Sequence, residues 1–325
     1  MALVRHRRHL NLRLPLPEPS ERCLRFPLPQ PTTTAAKSFS TTAASSGDVI
    51  FPGDIEKLEV LGHGNGGTVY KVRDKRTSSI YALKVVQSSS DATTRRRIKT
   101  ETEIHSRAAD SPYVVRYHGS FESPLSGDVA ILMEYMDSGT LETLLKTKGT
   151  FDEASLAKVA RDVLNGLNYL HARNIVHRDI KPANLLVNSK NEVKIGDFGV
   201  SKLMCRTLDP CKSYVGTCAY MSPERFDPDA YGGNYNGYAA DIWSLGLTLL
   251  ELYMGHFPLL QEGQRPDWAT LMWAICFGER PSLPGGVSAE FRDFVECCLK
   301  KESSERWTAP QLLTHPFLCK NDPET

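Results

Sequence analysis

Apolar residues recur along the chain in two patterns, short unbroken runs near the start and a helical spacing further on. The runs at residues 81–86 and 130–136 predict two buried strands. Between residues 155 and 171, apolar side chains repeat at the spacing of one helix face, which predicts a core helix. Residues 241–254 are apolar on nearly every face, and a helix of that kind is buried.

The first 53 residues differ from this pattern in their composition. They hold seven Lys or Arg against three Asp or Glu, together with seven prolines and ten Ser or Thr. Such a segment cannot bury enough apolar surface to offset the entropy of ordering it, so we predict a disordered basic tail over residues 1–53. The folded domain is predicted over residues 54–318, followed by a short polar tail over residues 319–325.

The composition of all 325 residues is that of an ordinary soluble protein. Hydrophobic residues make up 41% and charged residues 24%, and the formal net charge of +1 indicates neither nucleic-acid nor membrane binding. No apolar run reaches about 18 residues, so we expect no transmembrane helix. Eight cysteines without a C-x-x-C pair favour reduced thiols over a zinc site or disulfides. The grouping of Cys205, Cys211 and Cys218 leaves a redox or metal role open there.

One stretch carries the densest group of chemically demanding residues. Residues 177–187 read H-R-D-I-K-P-A-N-L-L-V, and D-F-G follows ten residues later. Asp179 is placed to accept a proton from an attacking hydroxyl group, and Lys181 can neutralise charge on a migrating phosphoryl group. Asn184 and Asp197 offer the oxygen ligands that Mg²⁺ prefers. The stretch therefore indicates a phosphotransfer site.

A glycine-rich segment and a lysine in an apolar strand extend this interpretation. Residues 61–71 read L-G-H-G-N-G-G-T-V-Y-K, in which Gly62, Gly64 and Gly67 leave the backbone free to lie over phosphates. A lone G-x-G-x-x-G could also be a dinucleotide-binding turn, but that turn needs a helix where this chain has V-Y-K-V. Lys84 lies inside an apolar strand, where a charge is costly unless it is paired. The alternative for Lys84 is an edge-strand lysine that keeps its charge in water.

Together, H-R-D-x-x-x-x-N, D-F-G and the glycine-rich segment resemble the eukaryotic protein kinase family. The resemblance covers residues 54–318 and implies an α+β fold of two lobes. A small antiparallel β lobe with one helix is expected over residues 54–135, and a larger, mostly helical lobe over residues 136–318. The resemblance also implies ATP and Mg²⁺ as cofactors.

In this family a strand lysine grips the α and β phosphates of ATP and pairs with a glutamate of the small-lobe helix. Lys84 is the residue that matches this role here. The helix is expected within residues 92–108, because apolar residues flank Glu101 on one helix face. Glu101 is therefore the predicted partner of Lys84, with Glu103 as the alternative.

The resemblance assigns the remainder of the nucleotide pocket residue by residue. Met133 is expected to guard the back of the adenine pocket, and the backbone of Glu134 and Met136 to hydrogen-bond the adenine edge. A core strand without a ligand is the alternative for this segment. The residues expected to bind ATP are Leu61, Gly62, Gly64, Gly67, Val69, Ala82, Lys84, Glu101, Met133, Glu134, Met136 and Leu186.

Further residues are expected, by the same resemblance, to hold the active conformation. Asp241 would tie down the H-R-D backbone, and Glu224 of S-P-E would form a buried ion pair with Arg306. Thr217 would bridge the catalytic residues Asp179 and Lys181. The complete structural set is Arg178, Thr217, Glu224, Asp241 and Arg306.

Three stretches narrow the resemblance to the MAP kinase kinases. They read S-P-Y-V-V-R-Y-H-G from residue 111, L-M-E-Y-M-D-S-G from residue 132 and S-Y-V-G-T-C-A-Y-M-S-P-E-R from residue 213. Thr207 and Ser213 are spaced as in the plant branch and are the expected phosphorylation sites for an upstream MAP kinase kinase kinase. The resemblance implies dual-specificity transfer to Thr and Tyr of a T-x-Y motif in a MAP kinase. Lys181 in H-R-D-I-K-P would by itself have indicated Ser/Thr specificity.

The basic tail contains a pattern of its own. Arg7 and Arg8 precede three leucines at alternate positions, Leu10, Leu12 and Leu14. An extended peptide of this kind suits an acidic patch next to apolar pockets and resembles the motif by which MAP kinase kinases dock their MAP kinases. The alternatives are an organelle transit peptide, because the tail is rich in Arg, Ser and Thr and poor in acids, and solvated disorder. We expect a cytoplasmic and nuclear protein, with organelle targeting as the alternative.

Two rival functions stay open from the sequence. A pseudokinase scaffold would be marked by loss of Asp179, Lys84 or Asp197, and all three are present. A kinase whose substrate is not a MAP kinase would keep these residues but would not depend on the tail. Because nothing in the sequence requires an oligomer, we expect a monomer.

Overall fold

In the computed structural model, the described residues are 50–64, 67–87, 102–108, 110–123, 127–198, 218–227, 236–260, 267–279, 281, 283 and 285–320. Several predicted functional residues lie outside them, namely Arg7, Arg8, Leu10, Leu12, Leu14, Glu101, Thr207, Ser213 and Thr217. The described chain forms an antiparallel sheet lobe followed by a helical lobe, which confirms the predicted two-lobed α+β fold.

The small lobe is built on one antiparallel sheet with the strand order β1-β2-β3-β5-β4. The strands are β1 (Ile55–Gly64), β2 (Gly67–Asp74), β3 (Ile80–Val86), β4 (Tyr117–Glu122) and β5 (Val129–Glu134). The centre of its apolar cluster is formed by three buried side chains on neighbouring strands, Val72, Leu83 and Leu132. A helix, α1, covers residues 102–108.

The prediction for the last strand was too long at its end. The apolar run suggested residues 130–136, whereas β5 ends at Glu134. A turn follows the strand, in which the amide of Gly139 donates to the carbonyl of Met136 at 3.2 Å. Met136 is nevertheless buried, so its apolar character reflects packing after the strand rather than strand pairing.

The large lobe is mainly helical. Its helices are α2 (Leu141–Lys148), α3 (Glu153–His171), α4 (Pro223–Phe226), α5 (Gly237–Met254), α6 (Trp268–Met272), α7 (Ala289–Cys298), α8 (Ala309–Leu313) and α9 (Pro316–Lys320). A π-helical turn, Trp273–Phe277, follows α6. No helix among the described residues is long and apolar enough to cross a membrane.

Helices α3 and α5 form the centre of this lobe, and both begin earlier than the apolar pattern predicted. Asp152 accepts a hydrogen bond from the amide of Ser155, so α3 starts two residues before the predicted residue 155. Asn236 caps α5 in the same way, so that helix starts four residues before Asp241. The predicted burial of α5 is confirmed, since its residues 239–250 are all buried.

A two-stranded ribbon carries the phosphotransfer residues on the surface of this helical core. Strand β6 (Leu185–Val187) pairs with β7 (Val193–Ile195) in antiparallel register. A short 3₁₀ turn, Pro182–Asn184, leads into β6, and D-F-G follows β7 after one residue. The ribbon therefore brings Asn184 and Asp197 to the same end, because antiparallel strands place the start of one beside the end of the other.

Candidate active site

Asp179 lies in a closely bonded group of side chains. The amide group of Asn184 donates from Nδ2 to Asp179 Oδ2 and to the Asp179 carbonyl, both at 2.8 Å. Lys181 Nζ lies 3.1 Å from Asp179 Oδ1. Asp179 and Asn184 are buried, so these bonds fix the carboxylate in one orientation. An oriented carboxylate beside a cation is suited to taking a hydroxyl proton while charge on a phosphoryl group is neutralised.

The backbone before Asp179 is held by a buried carboxylate from helix α5. Asp241 accepts from the amide of His177 at 2.9 Å and from that of Arg178 at 2.6 Å. His171 Nε2 lies 3.0 Å from the same carboxylate. Burial would raise the pKa of Asp241, but the hydrogen bond from His171, the nearby histidines and the Arg178 amide outweigh it, so this pKa lies below its ordinary value. The anionic form that accepts these bonds is therefore favoured.

Lys84 reaches across the two lobes to the D-F-G motif. Its Nζ lies 2.6 Å from Asp197 Oδ1, and 8% of the lysine side chain and 43% of the aspartate side chain are exposed. The predicted partner Glu101 lies outside the described residues, and the alternative Glu103 is exposed on α1. Lys84 therefore forms an ion pair with the metal-ligand candidate Asp197, and this pairing was not predicted from the sequence.

The residues assigned to the adenine pocket line up across the sheet. Ala82 on β3 lies opposite Met133 on β5 in the strand register. The amide of Glu134 donates to the carbonyl of Arg116 at 2.9 Å, so only the carbonyl of Glu134 could serve the adenine edge. Its side chain is bonded elsewhere, because Lys194 Nζ donates to Glu134 Oε1 at 2.6 Å. This side-chain bond was not predicted from the sequence.

The other pocket residues lie on the strands and ribbon around this register. Val69 on β2 lies opposite Lys84 on β3. Leu61 on β1 is 44% exposed, and Leu186 on β6 is half-buried. The strand register therefore brings Val69, Ala82 and Met133 together around Lys84, and Leu186 lies on the ribbon opposite Lys194.

Gly67 is required by the sheet itself. Its φ is +115°, and a Cβ atom there would lie 2.1 Å from the carbonyl oxygen of Val85. At Gly62, in contrast, an added Cβ would meet no atom within 4 Å. Gly67 therefore also lets β2 lie close to β3, in addition to the role over phosphates that was predicted for the three glycines.

The D-F-G phenylalanine connects the ribbon to helix α1. Phe198 is buried, and its ring centroid lies 4.9 Å from that of His105 and 5.2 Å from that of His177. His105 Nε2 donates to the carbonyl of Val115 at 2.7 Å, and burial lowers the pKa of His105 to about 4. His105 was not predicted from the sequence as a functional residue. Its position one helical turn after Glu101 was the available signal.

Glu224 and Arg306 form a buried two-point ion pair. Arg306 Nη1 lies 2.6 Å from Glu224 Oε1, and Nη2 lies 2.7 Å from Oε2. The side chains are 1% and 0% exposed, respectively, for the glutamate and the arginine. Arg306 also donates to the carbonyl of Ala239 on α5 at 3.2 Å. The pair named from the sequence therefore joins α4 to the start of the buried helix.

The donor set fits the ATP and Mg²⁺ that the family uses. The amide nitrogen of Asn184 is hydrogen-bonded to Asp179, so the amide oxygen is the atom that would bind the cation. Asp197 has a partly exposed carboxylate at the same end of the ribbon. Two oxygen ligands beside the lysine that would hold phosphates are typical of a magnesium–nucleotide site.

A second group of metal-ligand types lies far along the sequence. Ligand atoms of Asp293, Cys297 and His315 lie within 4.8 Å of one another. The amide of Phe317 donates to His315 Nδ1 at 3.2 Å, so Nε2 carries the proton and donates to Asp293 at 3.1 Å. Because both imidazole nitrogens are then engaged, this arrangement is that of a histidine–aspartate pair rather than a metal centre.

Comparisons with known proteins agree with this geometry. The chain matches the protein kinase domain family over residues 55–318. It is 63% identical over 318 residues to mitogen-activated protein kinase kinase 9 of Arabidopsis thaliana, a match that covers 98% of this chain and 99% of the relative. Mitogen-activated protein kinase kinase 7 of the same plant is 59% identical over 319 residues, covering 98% of this chain and 99% of the relative.

A more distant plant relative matches a smaller share of the chain. Mitogen-activated protein kinase kinase 1c of Physcomitrium patens is 43% identical over 277 residues, which cover 83% of this chain and 78% of the relative. The two-lobed fold, the grouped phosphotransfer residues and these relatives lead to one assignment. The chain belongs to the protein kinase family, within the branch of the plant MAP kinase kinases.

Proposed function

We propose that this protein is an ATP-dependent, dual-specificity MAP kinase kinase. It transfers the γ-phosphate of ATP to the Thr and Tyr of a T-x-Y motif in a MAP kinase. The observation that supports this most strongly is the bonded group of Asp179, Lys181 and Asn184, with Lys84 and Asp197 across from it. The names of the full-length relatives supply the substrate class.

The chemistry follows from where these side chains lie. Asp179 accepts the proton of the substrate hydroxyl group, and a general base of this kind contributes about 10²–10⁴-fold to the rate. Lys181, 3.1 Å from that carboxylate, neutralises charge on the phosphoryl group in the transition state. Lys84 holds the α and β phosphates, and Asn184 and Asp197 bind Mg²⁺, which supplies further charge neutralisation.

Regulation by an upstream kinase is the second part of the proposal. Phosphorylation of Thr207 and Ser213 adds about −1.5 to −2 charges at each site at pH 7. Arg178 is exposed directly before the catalytic base and offers a cation for such a phosphate. We propose that a MAP kinase kinase kinase supplies both phosphates and that the unmodified enzyme is nearly inactive. Asp substitutions carry one charge each and activate partially.

The tail is proposed to recruit the MAP kinase. Arg7 and Arg8 meet an acidic patch, and Leu10, Leu12 and Leu14 fill adjacent pockets. We place the protein in the cytoplasm and the nucleus, where its cysteines stay reduced. Mutation of Arg7→Ala/Arg8→Ala tests this part. Unchanged phosphorylation of every candidate MAP kinase, or import of a tail–reporter fusion into an organelle, contradicts it.

The central experiment is a kinase assay on purified protein that carries Thr207→Asp/Ser213→Asp. Kinase-dead MAP kinases with T-x-Y motifs are incubated with it, ATP and Mg²⁺, and mass spectrometry reads both acceptor residues. The matched control is the same protein with Asp179→Asn. We expect phosphate on both Thr and Tyr and a silent control. Phosphate on Thr alone, or only on generic substrates, leaves a Ser/Thr kinase of another pathway, which H-R-D-I-K-P by itself indicates.

A further inference from the structure

The backbone directly before the catalytic base adopts an unusual conformation. Arg178 has a φ of +67°, in the left-handed region that residues other than glycine rarely occupy. Such a residue keeps this conformation only where its surroundings determine it on more than one side. Asp179 follows immediately, so the position of its carboxylate depends on how the Arg178 peptide groups are held.

The amide of Arg178 is held by the Asp241 carboxylate already described, and its carbonyl is held by a second arginine. The Arg178 amide donates to Asp241 Oδ1 at 2.6 Å. The Arg178 carbonyl accepts from Arg225 Nη1 at 2.8 Å. A guanidinium donor makes a charge-assisted hydrogen bond, which is stronger than a bond between neutral groups. Arg225 is half-buried and follows S-P-E on helix α4.

The segment that carries Arg225 is connected to helix α5, the same helix whose Asp241 holds the Arg178 amide. Glu224, its neighbour, is locked to Arg306 by two hydrogen bonds of 2.6 and 2.7 Å. Arg306 in turn donates to the carbonyl of Ala239, which lies two residues before Asp241 on α5. Both groups that hold the Arg178 peptide are therefore anchored to the first turns of one buried helix.

We infer that Arg225 is a positioning residue for the catalytic base Asp179. Its guanidinium fixes the carbonyl of Arg178 while Asp241 fixes the amide, and the two bonds together keep the left-handed turn that orients Asp179. The buried pair of Glu224 and Arg306 then has a catalytic consequence besides its stabilising one. This inference requires a protein kinase and does not depend on which protein is the substrate.

The test compares Arg225→Met, which keeps the chain length without a donor, with Arg225→Lys, which keeps a cationic donor. Both are made in the Thr207→Asp/Ser213→Asp protein. Steady-state hydrolysis of Mg-ATP without a protein substrate gives kcat and the KM for ATP, and thermal unfolding gives Tm. We expect kcat to fall about tenfold in Arg225→Met and to return to within about threefold in Arg225→Lys, as the loss of one charge-assisted bond predicts. The KM for ATP stays within about twofold, because the nucleotide pocket is not touched.

Arg292→Met is the matched control, since Arg292 is exposed on α7 and should leave kcat and Tm unchanged. An unchanged kcat in Arg225→Met overturns the inference. So does an equal loss in Arg225→Lys and Arg225→Met that follows a fall in Tm, which is the mark of a purely structural role. If Arg225→Met does not fold, Arg225→Gln takes its place, with the same comparison to lysine. Because the readout is ATP hydrolysis, failure to phosphorylate T-x-Y would contradict the proposed substrate and leave this test intact.

Discussion

The two lobes hold their catalytic side chains by different means. In the large lobe, Asp179 is oriented by hydrogen bonds from polar groups of the catalytic loop, and the buried Asp241 on helix α5 holds the backbone before it. In the small lobe, Lys84 is placed by the register of its strand and forms an ion pair with Asp197, whose carboxylate is partly exposed. The position of the base is therefore part of the fold, whereas that of the lysine depends on how the lobes meet.

The apolar core is also less extensive in the small lobe than in the large lobe. The buried cluster in the small lobe consists of Val72, Leu83 and Leu132, with other side chains packed around it. The cluster in the large lobe extends through the long helices α3 and α5 to α7 and α9. Substitutions at polar anchors of the large lobe should therefore lower stability. Substitution of Lys84 should remove activity while the fold persists.

The largest expected effect on stability is at the buried ion pair. Glu224→Gln keeps the shape of the side chain but leaves the Arg306 guanidinium, which is 0% exposed, without its counter-charge. Breaking a buried pair from one side costs about 3–5 kcal/mol. We expect the free energy of unfolding in urea to fall by that amount. Glu142→Gln, which removes an exposed partner of Lys146, should change it by less than about 1 kcal/mol. Equal effects of the two substitutions would contradict the distinction between buried anchors and surface pairs.

Lys84→Met should show the opposite combination. The lost phosphate contact should lower kcat about 10²–10³-fold, the range for removal of one transition-state donor. The free energy of unfolding should change by less than about 1 kcal/mol, because the Asp197 side chain left behind is 43% exposed and water can solvate it. Turnover of Mg-ATP and urea unfolding measure the two quantities. Lys57→Met is the control that should retain turnover, because Lys57 is exposed on β1. A destabilisation as large as that of Glu224→Gln would show that Lys84 is an anchor of the fold.

These expectations follow partly from the sequence and partly from the structure alone. The spacing of H-R-D-x-x-x-x-N and D-F-G fixed the order of the phosphotransfer residues and with it the fold, because each residue type has a chemical task. The apolar spacing located α3 and α5 because burial on one or all faces leaves a periodic pattern. The starts of both helices were misplaced, since the capping residues Asp152 and Asn236 are polar and lie before that pattern.

Hydrogen bonds and ion pairs between distant segments could not be predicted from the sequence, for a different reason. Lys84 and Asp197 are 113 residues apart, and the apolar strand around the lysine says only that a partner is needed. The bond from Arg225 to the Arg178 carbonyl joins a side chain to backbone, and a carbonyl has no residue type that could mark it. His105 is spaced four residues after Glu101, but that spacing names no partner, so its contact with Phe198 became visible only in the folded chain.

His105 offers a way to measure how tightly the lobes are joined. Burial lowers its pKa from 6.5 to about 4, with Lys84 and His177 adding to the effect and Asp197 opposing it. Between these values the unfolded chain binds a proton that the native chain does not, so stability falls as the pH falls from about 6.5 to about 4. The full difference corresponds to roughly 3 kcal/mol. Urea unfolding at steps across this window should reveal the slope.

The matched variant for this measurement is His105→Gln. Glutamine can still donate to the Val115 carbonyl but cannot take up a proton in this range. The fall in stability from pH 6.5 to pH 4 should therefore be smaller by about 3 kcal/mol than in the unchanged protein. His256→Gln, at an exposed position after α5, should keep the full slope. Identical slopes in all three proteins would mean that His105 is protonated in the native state and that its contact with Phe198 does not exclude water.

The smallest expected effect concerns the helix that leads to the catalytic loop. Asp152 accepts a hydrogen bond from the amide of Ser155 at 2.8 Å and caps α3. Asp152→Ala should lower the free energy of unfolding by about 1 kcal/mol, the usual loss for a removed cap. It should leave kcat unchanged, because Asp179 is held by groups on α4 and α5 and in the loop itself rather than by the start of α3. Asp152→Ser, which restores a cap, should recover most of the stability. A fall in kcat in Asp152→Ala, at a temperature where the protein is fully folded, would show that the catalytic loop is also oriented through α3. The distinction between residues that contribute only to stability and residues that position the catalytic base Asp179 would then be weaker.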